Sequence, residues 1–172
     1  NKFIIINNNK ISFFLIIFTS FFFTYYSGYR GVFPLDSFLI FDAGYKVLNN
    51  YHPFKDYWSI TGPFLDYSQF IIFKFFNISW STYIFHSAII NTLFSLFSFI
   101  FFCELGLKKI FSLIYSISIA ILGYPSAGSP FMDHHASIFA LMSLMCLILA
   151  LKKGNNKYWF FVLLLLGLSF LS

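Results

Sequence analysis

Long apolar runs separated by short polar breaks organise this chain. Apolar residues dominate 11–26, 80–102, 110–124, 135–151 and everything from 158 onward. Each run is ~15–23 residues long, close to the ~20 a helix needs to cross a bilayer. None shows the ten-residue in–out alternation of a membrane strand, so the pattern predicts helices and not a barrel. The third run is the shortest and is stopped by Pro125; Lys108 and Lys109 extend its reach by snorkelling. The first run has a basic start, as a signal peptide does. No small-x-small cleavage site follows it and more apolar runs do, so it reads as a span.

The stretch 27–79 behaves differently. It is too apolar to be disordered. In PLDSFLIFDAGYKVLNN, Phe38, Phe41, Tyr45 and Leu48 recur at helical spacing, which predicts a helix lying at the membrane surface on that stripe. Asn49-Asn50-Tyr51-His52-Pro53 breaks it. Gly62-Pro63 opens a second helix over about 63–76, with Pro in the first turn where no amide hydrogen is needed. The expected fold is therefore an all-α membrane protein. It is a polytopic helical bundle with about five transmembrane helices and two surface helices in its first outer loop. The whole of 1–172 is expected to form the N-terminal part of one transmembrane domain, since the chain starts without Met and stops inside an apolar run.

Composition sharpens this picture. The chain is 59% hydrophobic, 24% aromatic and 10% charged, with mean hydropathy +0.77. Soluble domains carry about 25% charged residues, so this chain lacks the material for a polar surface. The 28 Phe among Ile-, Asn- and Lys-rich stretches match the bias of an AT-rich genome, which weakens arguments from single Phe residues. Cys103 and Cys146 sit in apolar runs and read as buried small hydrophobes. The net charge of +5 comes from residues scattered at helix ends, which fits membrane topology and not nucleic-acid binding.

Charge also orients the chain. With the N-terminus in the cytoplasm, Lys2, Lys10, Lys108, Lys109, Lys152, Lys153 and Lys157 fall inside, while Arg30, Lys46, Lys55 and Lys74 fall outside. The same assignment gathers Asp36, Asp42, Asp56, Asp66 and Asp133 outside and leaves Glu104 inside, although acids played no part in it. The outer face, periplasmic or extracytoplasmic on a bacterial inner membrane, is where chemistry is expected.

Three local signatures carry a resemblance. An Asp opens the first outer helix in FPLDSFLIFDAGYKVLNN. A Tyr/His-Pro segment leads to an acid and a Gly-Pro in NYHPFKDYWSITGPFLDY. A second outer loop ends in an Asp at the start of a span in GSPFMDHHASIFALM. In this order the chain resembles the GT-C superfamily of membrane glycosyltransferases, in the branch of protein O-mannosyltransferases and lipid A aminoarabinose transferase. The resemblance implies a polyprenyl-phosphate-linked sugar donor and an outer-face acceptor that is lipid- or protein-linked.

It also implies roles. Asp36 is the expected catalytic base, which would take the acceptor hydroxyl's proton during attack on the anomeric carbon. An Asp at a helix start is equally a good cap. Asp42 follows six residues later, so on a continuous helix the two acids point ~120° apart. Asp42, Asp56, Asp133 and His134 are expected near substrate. Arg30 and Lys55 are candidates for the donor phosphate, Arg by its forked geometry. His52, Tyr57 and Trp58 suit either a sugar face or interfacial anchoring. His86 lies within a span and has no assigned role. A divalent ion held by Asp133 and a first-loop acid is conceivable, though His134 and His135 are ~100° apart on a helix and lack the HExxH spacing. Two rivals stand beside the transferase. An O-antigen polymerase or ligase would place its large loop late in the chain. A transporter would carry polar or broken helices at mid-membrane.

Overall fold

A computed structural model describes residues 2–31, 36–124 and 128–172, and side chains from residue 10 onward within those ranges. Every regular element among them is helical. In chain order they are α1 (Lys2–Ser27), α2 (Asp36–Leu48), α3 (Pro63–Phe75), α4 (Trp80–Leu105), α5 (Lys109–Leu122), α6 (Met132–Lys153) and α7 (Asn156–Phe170). The predicted surface helices and the second to fifth runs agree with these bounds to within a few residues. The first helix begins earlier than its apolar run. Pro125, the predicted stop of the third run, lies outside the described residues.

Three helices are long and apolar enough to cross a membrane: α1 over Lys10–Ser27, α4 and α6. At 1.5 Å per residue, α4 reaches ~39 Å and α6 ~33 Å. Two further apolar helices, α5 and α7, are shorter, with 14 and 15 residues. Apolar side chains of α1, α5, α6 and α7 face outward: Phe14, Phe22, Leu122, Leu151, Leu163 and Phe170 are exposed, whereas α4 is the more central helix. Less than half of each long span is covered by the rest of the protein (22%, 44% and 39%). Water would not tolerate such a surface; hydrocarbon would.

Where α1, α4 and α5 meet, the interior is polar and small. Ser20 and Thr24 of α1, Asn91, Ser95 and Ser98 of α4, and Ser112, Ser116 and Ala120 of α5 are all buried. The Asn91 side-chain amide donates to Thr24 Oγ1 at 2.7 Å and to the Ala120 carbonyl at 2.8 Å, tying three helices. Burying apolar area gains nothing between helices in lipid. Close approach through small residues, together with hydrogen bonds of about 1 kcal/mol each, holds them instead.

The bundle has two distinct ends. At one, the Lys152 ammonium donates to the Glu104 and Leu105 carbonyls, and Lys153 pairs with the Glu104 carboxylate. Gly106 and Gly154, at φ +95° and +61°, terminate α4 and α6 there in left-handed turns. The other end carries α2 and α3. There the Trp80 indole donates to the Gly28 carbonyl at 3.0 Å, Tyr83 Oη to Pro130 O at 3.2 Å and Ser87 Oγ to Gly128 O at 2.6 Å. The amides of Gly62 and Phe64, at the start of α3, donate to the Ser172 and Leu171 carbonyls beyond α7, both at 3.1 Å. So α1, α5 and α7 run towards the loop-bearing end, and α4 and α6 run away from it.

The α2 helix packs on the protein through its small residues, with Phe41 and Leu48 of the apolar stripe beside them. Ser37, Ile40, Ala43, Gly44 and Val47 face inward, while Phe38 and Tyr45 of the predicted stripe are about half exposed. The reason is steric. Gly44 lies so close to α3 that a Cβ there would meet Gln69 Cγ at 2.6 Å, so the small residues form the contact. Ile40, Leu65, Phe73 and Tyr83 make the shared core, with Phe41 edge-on to Phe73 and Tyr83.

Candidate functional site

At the loop-bearing end the chain brings four pieces together, the last two continuous in sequence. These are the turn after α1, the start of α2, the segment 128–131 and the start of α6. Gly28 and Gly128 touch so closely that a Cβ on Gly128 would lie 2.3 Å from the Gly28 amide nitrogen. Ser129 Oγ meets Ser37 Oγ at 3.4 Å, next to Asp36. Asp133 is an acid in the first turn of α6, four residues past Ser129. Asp36 and Asp133 are both exposed, each in the first turn of a helix where an anion is favoured by the exposed amides. His134 packs its ring on Tyr124 and Phe131 at 5.1 and 5.5 Å. The Arg30 guanidinium donates to Tyr26 Oη at 3.3 Å and covers that ring.

The remaining predicted residues collect elsewhere. Asp42 pairs with Lys46 at 2.7 Å, one turn apart on α2. Asp56 Oδ2 accepts from the His52 amide at 2.8 Å and so serves the turn that contains it, and Lys55 is exposed on the same turn. That turn holds Asn50 and Phe54 at φ +65°, strained positions for side chains larger than glycine. Residues 36 and 46 are ~15 Å apart along α2. The predicted site thus divides into an Asp36 group at the start of α2 and an Asp42 group near its end.

Between α2 and this turn lies a cleft of about 80 Å³ lined by Asp42, Lys46, Tyr57, Trp58, Ser59 and Thr61, among others. Trp58 is 83% exposed beside it, with its neighbour Ile60 at 71%. Lys46 Nζ stands 5.0 Å over the Tyr57 ring. The floor beneath is a residue that sequence reasoning passed over. Asp66 is 0% exposed, and three hydroxyls donate to it: Tyr57 Oη at 2.7 Å, Thr61 Oγ1 at 2.8 Å and Ser59 Oγ at 3.1 Å. Burial holds its carboxyl above the usual Asp range, and the hydroxyl bonds oppose that rise only in part. Burial, and then the carboxylate beside it, push the Tyr57 phenol up as well, so it remains a donor. With both oxygens engaged, Asp66 is a fixing point for the 57–61 segment and is ill placed to take a proton from a substrate.

One turn further along α3, Gln69 Oε1 accepts from His86 Nδ1 at 2.8 Å, assigning that nitrogen the proton. The His86 and His135 rings lie edge to face at 5.0 Å. His135 Nδ1 contacts Tyr124 Oη and the Phe131 carbonyl. His86 therefore joins α3 to the bundle. A signal for this inner face was present in the spacing Leu65, Asp66, Gln69 and Phe73, one helical stripe with polar residues at core positions. No group of three His, Cys, Asp or Glu that could hold a metal ion occurs among the described residues.

These observations define a class: an all-helical chain with three membrane-length helices, consistent with an integral membrane protein, and a folded polar cap on one end of its bundle. No protein-family model, curated protein or solved structure matches it.

Proposed function

We propose that this chain belongs to a glycosyltransferase that moves a sugar from a polyprenyl-phosphate donor to an acceptor outside the membrane. In this reading α5 and α7 are also spans, bringing the total to five. Their antiparallel course between the same two ends supports this, and local thinning with lysine snorkelling accommodates lengths of ~21–23 Å. The lysine-rich end is cytoplasmic. The capped end then faces outward from a bacterial inner membrane, where sugars are available only on lipid carriers.

The observation that carries the reading is the contact of Ser37, beside Asp36 at the start of α2, with Ser129, four residues before Asp133. Asp36 takes the proton of the acceptor hydroxyl as its oxygen bonds to the anomeric carbon. The carbon–oxygen bond to the lipid phosphate breaks, and the phosphate leaves as an anion. Arg30 neutralises that anion, and Asp133 with His134 closes the site around the acceptor. In the second group, the Asp42–Lys46 cleft with its exposed Trp58 suits the polar edges and apolar face of a sugar ring.

In the full-length protein, Asp36→Asn is expected to lower transfer from a polyprenyl-phosphate sugar by ~10²–10⁴-fold, the usual contribution of a general base. Unchanged turnover in that variant, with normal membrane insertion, would remove Asp36 from the mechanism.

A further inference from the structure

We propose that the lysine-rich end binds the phosphate headgroup of an anionic phospholipid in the groove between α1 and α5, with Lys109 as its ligand. This does not depend on the transferase reading. The groove has a volume of about 280 Å³ and is lined by Ile11, Ser12, Lys109, Ile110 and Leu113. Lys109 Nζ is shielded from solvent and has no hydrogen-bond partner among the described residues. A shielded ammonium without a counter-charge is costly at the edge of hydrocarbon.

The protein itself offers no anion for it. Five of the six acids in the chain are aspartates in other segments, and the sixth, Glu104, is engaged by Lys153. Lys152 is likewise used, on the terminal carbonyls of α4. Lys109 also begins α5, where Lys108 is the cap and its side chain makes no capping hydrogen bond. Two cations at the positive end of a helix dipole repel it, whereas an anion satisfies the dipole, the amides and the ammonium together. The occupant must also cover Ile11 and Ile110, which are 56% and 57% exposed. A phosphate joined to acyl chains meets both demands, and free phosphate meets only one. Basic pockets between helices on the cytoplasmic side select such headgroups.

The test is native mass spectrometry of the whole chain, released from nanodiscs that mix phosphatidylglycerol with phosphatidylcholine. One phosphatidylglycerol is expected to be retained preferentially. Lys109→Gln should weaken that retention about tenfold. Lys109→Arg should preserve it, and Lys157→Gln, on a different helix, should leave it unchanged. Leu113→Trp, which fills the groove and keeps every charge, should also abolish it. Equal retention in wild type and Lys109→Gln overturns the proposal. So does equal loss in Lys157→Gln, or displacement of the lipid by millimolar inorganic phosphate.

Discussion

Asp66 shows how one side chain can set the geometry of a whole segment. Its two oxygens receive hydroxyls from three positions on the 57–61 segment, which fixes the stretch that exposes Trp58 and Ile60. Removing the carboxylate leaves the Tyr57 and Thr61 hydroxyls without their acceptor, at roughly 1 kcal/mol each, while Ser59 keeps the Thr61 carbonyl at 3.0 Å. Asp66→Ala should therefore cost ~2 kcal/mol, read as a lower unfolding midpoint in detergent. The exposed Asp42–Lys46 pair, one turn apart on α2, contributes at most a few tenths of a kcal/mol by comparison. Burial also gives Asp66 a sign in pH. Its folded pKa is raised above the ordinary 3.8, so as pH increases the unfolded chain releases the proton first. The stabilisation is complete below 3.8 and is lost as pH rises through the folded value. The stability difference between wild type and Asp66→Asn, followed by thermal unfolding against pH, should shrink across that window. A difference that grows there would mean the carboxylate is favoured over the acid by its hydroxyls.

Among the elements, α3 connects the cap to the bundle. Its inner face reaches α2 through Leu65 and Phe73, and reaches α4 through Gln69 on His86. Its first turn meets the end of α7, where the Gly62 and Phe64 amides find carbonyl partners that a helix start otherwise lacks. A Cβ on Gly62 would lie 1.8 Å from the Leu171 carbonyl oxygen, a backbone atom that cannot swing aside. Gly62→Ala should separate α3 from α7 and forfeit both hydrogen bonds, a loss of ~2–3 kcal/mol. Limited proteolysis should then cut faster at the exposed 54–60 segment than in wild type. An unchanged rate would mean that α7 does not hold α3. The Phe38/Phe41/Tyr45/Leu48 stripe on α2 was legible as helical, and in the fold Phe41 and Leu48 pack on the core while Phe38 and Tyr45 stay about half exposed. Periodicity gives the spacing of an apolar face, while the size of the neighbours chooses between two such faces, and Ala43 and Gly44 offered the closer contact.

At the scale of the molecule, two unlike ends flank a bundle whose outside is apolar and whose inside is lined with serine, threonine and asparagine. The orientation argued from lysine distribution has a direct test. In a background lacking Cys103 and Cys146, Asn49→Cys should react with a membrane-impermeant maleimide in intact cells, and Asn156→Cys only after permeabilisation. Both positions are exposed, so access alone decides the outcome. Labelling of both from outside would mean that the bundle crosses the membrane an even number of times between them, against the proposed topology.

Length and hydropathy determined on their own that the chain is helical, that it carries membrane-length helices and that two helices interrupt the first long connection. These follow from local physics: each backbone must pair within itself in lipid, and Pro, Gly and Asn punctuate locally. Which acids share a site followed from none of this. Asp36 and Asp133 are nearly a hundred residues apart and were associated in advance only through a family resemblance. In the fold, Ser37 beside Asp36 meets Ser129, four residues before Asp133. Asp66 looked like an ordinary surface acid because its three hydroxyl partners lie in a preceding segment with no regular period. The shielding of Lys109 depends on α1 lying beside the start of α5. Burial and partnership are properties of packing between distant segments, and only the tertiary structure decides them.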